Sequence, residues 1–416
     1  MKRALLVVLL GACLGAGTPP AAARTCAVDV VPAATVLLPY FEVDLGNASG
    51  RTTLFSVNNA KSAGTLAHVV LWTDLGVPTL AFDVYLTGYD VQTINLRDVF
   101  AGQLPQTASD GQDLQDRISP QGELSEDNNY ASCTNALPPP PLSPTVVDHL
   151  RRVHQGLPSP LLEAQCAATP RRDGVARGYV TVDVVHGCSF LNPLHAEYFE
   201  TWVAHDNVLW GDFFLVDAAG NLAQGENLVR IESDRARFAG RPTFYERYVN
   251  GTGADGREPL PTVWATRYIN GGDFTGGTDL IYWRDSRRKG EAFPCNLPPA
   301  WYPIRLQEGN HRSWVFDEEE NPDTYGCIIP GPCQLPAPFG AESGRVTVGG
   351  AELPVPFNFG WWYFDMKTTS STPSIPSLSQ SWIGGLHEAQ GLFSVGYEAE
   401  PLDSGCAPLT SNPGSN

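Results

Sequence analysis

The chain has 416 residues, 42% hydrophobic and 10% aromatic, with a formal net charge of −18. This composition excludes global disorder, and 41 Gly with 35 Pro favour many turns over long helices. The acidity argues against nucleic acid as a partner. A polyanion would meet repulsion over the whole surface, and Arg151-Arg152, Arg171-Arg172 and Arg287-Arg288-Lys289 are too short to offset it.

Lys2 and Arg3 form a positive n-region, Ala4 to Ala16 is apolar, and Ala21-Ala22-Ala23 supplies small residues before Arg24. The pattern predicts a secretory signal peptide over 1–23. Its apolar run is shorter than the roughly 20 residues a spanning helix needs, and no later segment offers a comparable run free of charge and proline. Leu10-Gly11-Ala12-Cys13 resembles the box that bacterial lipoprotein processing cuts before its cysteine. On that alternative Cys13 is a lipid anchor and the one route to a membrane; the alanine triplet favours loss of Cys13 with the leader.

From Val28 to Phe100 the apolar pattern has period two. Strands are expected over Val36–Val43, Thr52–Val57, Leu66–Trp72, Leu80–Thr87 and Val91–Leu96, making an N-terminal sandwich of immunoglobulin-like type over 24–105. Residues 106–175 form a polar, proline-rich excursion containing the four-proline run Pro138 to Pro141. A helix is expected at about 144–155, with Ser143 as cap, Pro144 in the first turn and Gly156 as stop, and a second short one from Pro160 to Cys166.

A larger β domain follows over 176–406, with a flexible tail over 407–416. Its strands are expected at Tyr179–Val185, Val208–Val216, Leu228–Ile231, Phe244–Val249, Val263–Ile269 and Leu280–Trp283. Pro242-Thr243-Phe244-Tyr245 with Arg247-Tyr248-Val249-Asn250-Gly251 is echoed by Pro261-Thr262-Val263-Trp264 with Arg267-Tyr268-Ile269-Asn270-Gly271. Both copies read as a strand entering a turn. Arg345–Val348 and Ala351–Val355 flank Gly349-Gly350 as a hairpin; Phe393, Val395 and Tyr397 alternate into a last strand. The fold class is therefore all-β, two sandwich-like domains with a partly helical connection.

Eight cysteines remain beyond the leader: Cys26, Cys133, Cys166, Cys188, Cys295, Cys327, Cys333 and Cys406. With no Cys-x-x-Cys, zinc is disfavoured and disulfides of an oxidising compartment are expected. Proximity groups Cys133, Cys166 and Cys188, and separately Cys295, Cys327 and Cys333. Cys26 and Cys406 either pair with each other, leaving a bridge between the groups, or complete one group each.

Candidates for chemistry are few. Asp317-Glu318-Glu319-Glu320 with Asp323 could bind Ca²⁺, although the Asp-x-Asp-x-Asp-Gly loop is not reproduced and a solvated acidic turn is favoured; Asp110, Asp113 and Asp116 are a thinner set. His195 and Glu197 with His205 and Asp206 match no metalloenzyme spacing. No nucleophile elbow and no phosphate-cradling loop occurs, so no catalytic residue and no cofactor other than Ca²⁺ is expected. Trp301-Tyr302 and Trp361-Trp362-Tyr363 could stack on sugar rings, with core packing weighed as the stronger demand on them.

Leu38-Pro39-Tyr40-Phe41-Glu42-Val43-Asp44, Thr53-Leu54-Phe55-Ser56-Val57-Asn58-Asn59, Tyr85-Leu86-Thr87-Gly88-Tyr89-Asp90-Val91-Gln92 and Asn270-Gly271-Gly272 through Asp279-Leu280-Ile281 carry a resemblance. Over most of its length the chain resembles a family of secreted bacterial β-rich proteins with no assigned activity. The resemblance implies a shared fold and export and transfers no functional residue. The expectation is a non-enzymatic structural or binding protein of the periplasm or cell surface, its partner a glycan or a protein surface. A hydrolase acting on extracellular glycan or ester, and a Ca²⁺-dependent adhesion module, are the alternatives.

Overall fold

The computed structural model describes residues 31–106, 131–133, 136–298, 312–322, 339–350, 355–366 and 380–403. The strands begin with β1 (Thr35–Asp44), β2 (Thr52–Asn59), β3 (Thr65–Thr73), β4 (Pro78–Leu86) and β5 (Val91–Asn95), followed by helices α1 (Leu96–Phe100) and α2 (Pro144–Val153). Next come β6 (Val175–Val185), β7 (Leu209–Trp210), β8 (Asp212–Asp217), β9 (Leu222–Asn227) and β10 (Val229–Ile231). Two single-turn helices, α3 (Arg235–Phe238) and α4 (Glu246–Val249), lead to β11 (Val263–Ile269), β12 (Gly277–Arg284) and β13 (Arg312–Asp317). The last strands are β14 (Ser343–Thr347), β15 (Phe359–Asp365), β16 (Ser381–Ala389), β17 (Phe393–Glu398) and β18 (Glu400–Pro401).

These strands form four antiparallel sheets, and the protein is all-β with sandwich-like packing. The orders are β10-β1-β6-β3-β4, β5-β2-β8-β9 with β7 beside β2, β13-β15-β11-β18, and β14-β12-β16-β17. The first two face each other through β1 against β2 and β8; the last two meet through β11 against β12 and β16. β1 and β3 are buried along nearly their whole length, on both faces. One reason is that β12 and β14 of the second sandwich reach β1. The main apolar core accordingly runs unbroken from Val36 through Trp72 and Trp283 to Trp382.

The sheet partners divide the chain differently from the expected boundary at residues 105 and 176. β6, expected to open the second domain, lies hydrogen-bonded between β1 and β3, and β8 pairs with β2. The first sandwich therefore needs residues 35–231, with the proline-rich excursion as an insertion, and the second runs over 263–401. Period-two alternation marks a strand but not its partner, so this long-range closure left no local signal. The β1–β6 pairing shifts register between Leu38 and Phe41, across Pro39, which has no N–H to give to the ladder. The freed Pro39 carbonyl accepts a 2.7 Å hydrogen bond from Ser343 Oγ in β14, tying the two sandwiches at the bulge.

Local chemistry sets most boundaries. Ser143 Oγ caps α2 by accepting from Val146 N, Pro144 occupies its first turn, and Gly156 at φ +66 follows its end. The expected second helix shrinks to one turn, Pro160–Leu162, because Glu163 and Ala164 both take left-handed φ. The expected strand Val208–Val216 breaks at Gly211, whose missing Cβ would lie 2.0 Å from the Ser56 carbonyl oxygen.

One expected strand is overturned. Phe244–Val249 is not extended: its end is α4, closed by Asn250 at φ 52 and Gly251 at φ 76. The echo of Pro242–Gly251 in Pro261–Gly271 is therefore one of sequence alone. The second copy is β11, held on both sides by β15 and β18, whereas the first packs Phe244, Tyr245 and Tyr248 between the sandwiches without a strand partner. Tertiary contacts decided between two forms of similar local preference.

Candidate binding face

The outer face of the β13-β15-β11-β18 sheet is built of aromatic rings. Along β15, Gly360, Trp362 and Phe364 turn inward, while Phe359, Trp361 and Tyr363 turn outward. Residues opposite each other in register share a face. Trp361 stands between Phe316 of β13 and Arg267 of β11, Tyr363 between Trp314 and Ala265, and Phe359 beside Ile269. Five rings, Trp314, Phe316, Phe359, Trp361 and Tyr363, thus occupy one surface.

Their exposure separates them from the core. Trp361 is 43% exposed and Phe359 40%, against 0% for Trp362. The Trp314 and Tyr363 rings lie 5.1 Å apart at 60°. The Arg267 guanidinium covers part of Trp361 at 5.4 Å from its centroid, and is itself held by Glu318 at 2.6 and 2.7 Å. The weighing of Trp361-Trp362-Tyr363 toward the core holds for Trp362 alone; the pleat sends its two neighbours to solvent.

The acidic candidates end on the same sheet but are engaged there. Asp317 Oδ1 accepts from the backbone of Glu319 at 2.9 Å and Asn321 at 2.8 Å, and Oδ2 accepts from Asn321 Nδ2. Glu318 pairs with Arg267, and Glu320 takes φ 64 in the turn, which is exposed through Glu319. Asp323, Asp110, Asp113, Asp116, Trp301 and Tyr302 lie outside the described residues. Among the described residues no three His, Cys, Asp or Glu side chains converge as a metal site.

Of the cysteines, Cys133 bonds to Cys188 and Cys166 to Cys295, the latter a bridge between the two expected groups. Cys13, Cys26, Cys327, Cys333 and Cys406 lie outside the described residues. The His195 ring meets Asn192 beside it, whereas His205 joins Ser233 at 2.8 Å and Arg257 at 3.3 Å. Burial, with the Arg257 charge, pushes His205 down to about 4.

Among the described residues, three clusters of buried charge have no signature in sequence spacing. At the first, Glu42 receives Tyr40 and is ringed by Arg51, Arg177 at 3.4 Å and Arg345 at 3.6 Å. Burial alone would raise Glu42, but Arg345, Arg51, the Tyr40 hydroxyl and Arg177 together hold it at about 2. At the second, Asp183 accepts from Tyr198 at 2.6 Å and Tyr245 at 2.7 Å and lies 3.6 Å from Arg257.

The third cluster sits between the sandwiches. Arg247 of α4 binds Glu342, Asp285 at 3.2 Å, Ser286 at 3.0 Å and the Tyr179 hydroxyl at 3.2 Å, with its guanidinium 4.8 Å from the Tyr248 ring centroid. Burial raises Glu342 to about 7, against the pull of Arg247 and with the push of Asp285. Trp72, Tyr179, Phe244, Tyr245, Tyr248 and Trp283, with Thr181 and Arg247 itself, line a small pocket of about 10 Å³, room for about one water. The buried pair His68–Asp83, 2.7 Å apart, is likewise spent, since the Leu191 carbonyl takes the other ring nitrogen at 2.7 Å. Chemistry at these clusters would need an opening; the aromatic face needs none.

No family model, no curated protein and no solved structure matched the chain.

Proposed function

We propose that the protein is an exported, non-enzymatic binding protein of the periplasm or cell surface that holds a glycan on the aromatic face of its second sandwich. The observation that carries this reading is the outward row of Phe359, Trp361 and Tyr363 flanked by Trp314 and Phe316. Exposed rings on a rigid sheet lose little entropy on binding, and their π-faces suit the C–H faces of sugar rings. Export is supported by the leader and by two disulfides, which suit an oxidising compartment; among the described residues no helix is long and apolar enough to cross a membrane. Affinity electrophoresis through gels containing soluble polysaccharides tests the reading. At least one glycan should retard the protein and not its Trp361→Ala variant; unretarded migration across the panel would end the proposal.

The hydrolase alternative draws on Glu342 and Asp285, two carboxylates among aromatic rings, one of them raised to about 7 as a general acid requires. Both are buried on Arg247, which counts against substrate access. Release of reducing sugar that disappears in Glu342→Gln would favour it. The Ca²⁺ alternative requires a fall in Tm on adding EDTA.

A further inference from the structure

We infer that the ligand of the aromatic face is a neutral, extended polysaccharide chain rather than a sugar-acid polymer or a single sugar. This rests on the glycan reading and concerns which glycan.

The first ground is charge. Arg267, a cation on the face, is already bound twice by Glu318 and lies against Trp361, so a carboxylate arriving there would have to displace a bidentate partner. Carboxylates stand at its margins: Asp365 of β15, in the outward row and opposite Arg312 of β13, with Glu319 and Glu320 in the turn. Over the whole chain the charge is −18, which repels any polyanion before contact. A neutral ring meets none of these costs. Its hydroxyls find both a guanidinium and a carboxylate at the rim, able to donate and accept without being displaced from each other.

The second ground is extent. Phe359, Trp361 and Tyr363 are two residues apart along β15, a spacing of about 6.7 Å, so the row runs about 13 Å. Phe316 and Trp314 widen it by one strand, about 4.8 Å. That is a strip longer than one pyranose ring covers, with no walls described to enclose a monosaccharide. Each stacked ring adds a modest increment, so a chain gains from the strip what a single sugar cannot.

The test is isothermal titration of the full mature chain with a β-1,4-glucan hexasaccharide, glucose, xylan and polygalacturonate, each at low and at 0.5 M salt. Expected are binding of the hexasaccharide or xylan unchanged by salt, no measurable heat with glucose, and none with polygalacturonate. Trp361→Ala should weaken the neutral ligand about tenfold or more, the equivalent of one lost stacking contact. Trp361→Phe, which keeps a ring, should restore most of the affinity. Salt-sensitive binding of polygalacturonate, or glucose binding as well as the hexasaccharide, overturns this inference while leaving the face a glycan site. Heat from none of the four, repeated with mannan and chitin hexasaccharide, overturns both.

Discussion

Trp361 and Trp362 are adjacent in sequence and opposite in fate, and replacing each by alanine separates face from core. Trp362 is fully buried, stacked on Phe364 at 4.5 Å inside the second sandwich. Truncating it removes the transfer free energy of an indole and leaves a cavity, about 3–5 kcal/mol. For a cooperative unit of this size that lowers Tm by roughly 10 °C. Trp361 is 43% exposed and loses with its ring mainly the Arg267 contact, about 0.5–1 kcal/mol, or a few degrees at most. Differential scanning calorimetry of both variants, with glycan retardation measured in parallel, gives the comparison. Trp362→Ala should melt early and, where still folded, bind; Trp361→Ala should melt near the parent and not bind. Equal and large losses of Tm, or the reverse order, would refute the face assignment, because a one-residue slip in the β13–β15–β11 register exchanges the two sides of the strand.

Three further outcomes concern the interior. Glu342 is raised in the folded state to about 7 from an ordinary 4.5, so its contribution is fully present below pH 4.5 and lost as pH rises through 7; Glu342→Gln should flatten that part of a stability–pH curve measured by urea titration. Glu42 is the opposite case, held at about 2: its contribution, about 3 kcal/mol, is present above pH 4.5 and disappears as pH falls toward 2, and Glu42→Gln should show no such acid-side loss while being weaker at pH 7. Replacing both Cys166 and Cys295 by alanine opens a span of 129 residues and should cost about 2–5 kcal/mol in denaturant melts, no less than opening the 55-residue span of Cys133 and Cys188; the reverse ranking would count against the loop-entropy account.

The strands were largely legible, because most bury one face and alternate. β11 falls on Val263–Ile269 as expected, and α2 carries its start and stop in Ser143, Pro144 and Gly156. Illegible were features set by distant partners. β6 reads as the opening of a new domain until it is seen between β1 and β3. α4 and β11 share a motif and differ only in what surrounds them. The aromatic face was half legible: Trp361-Trp362-Tyr363 stands out as a block, but only the pleat separates its two sides. Trp314 and Phe316 lie in the alternation Ser313, Trp314, Val315, Phe316, where apolar residues occupy both faces and the sequence does not say which one meets solvent. Arg247 with Glu342 and Asp285 brings together residues up to 95 positions apart, a distance no spacing rule spans.

The placement of β6 and β10 beside β1 also governs the order in which this chain can fold. β1 meets its partners only when residues 175–185 and 229–231 are present, and its other face is covered by strands later still. A polypeptide delivered N-terminus first therefore has more than half its length released before its first sheet can close, with apolar β1 waiting unpaired and β3 paired with β4 alone. Such non-local closure slows folding and leaves strand edges open to aggregation, while keeping the leading segment from locking prematurely into a compact unit.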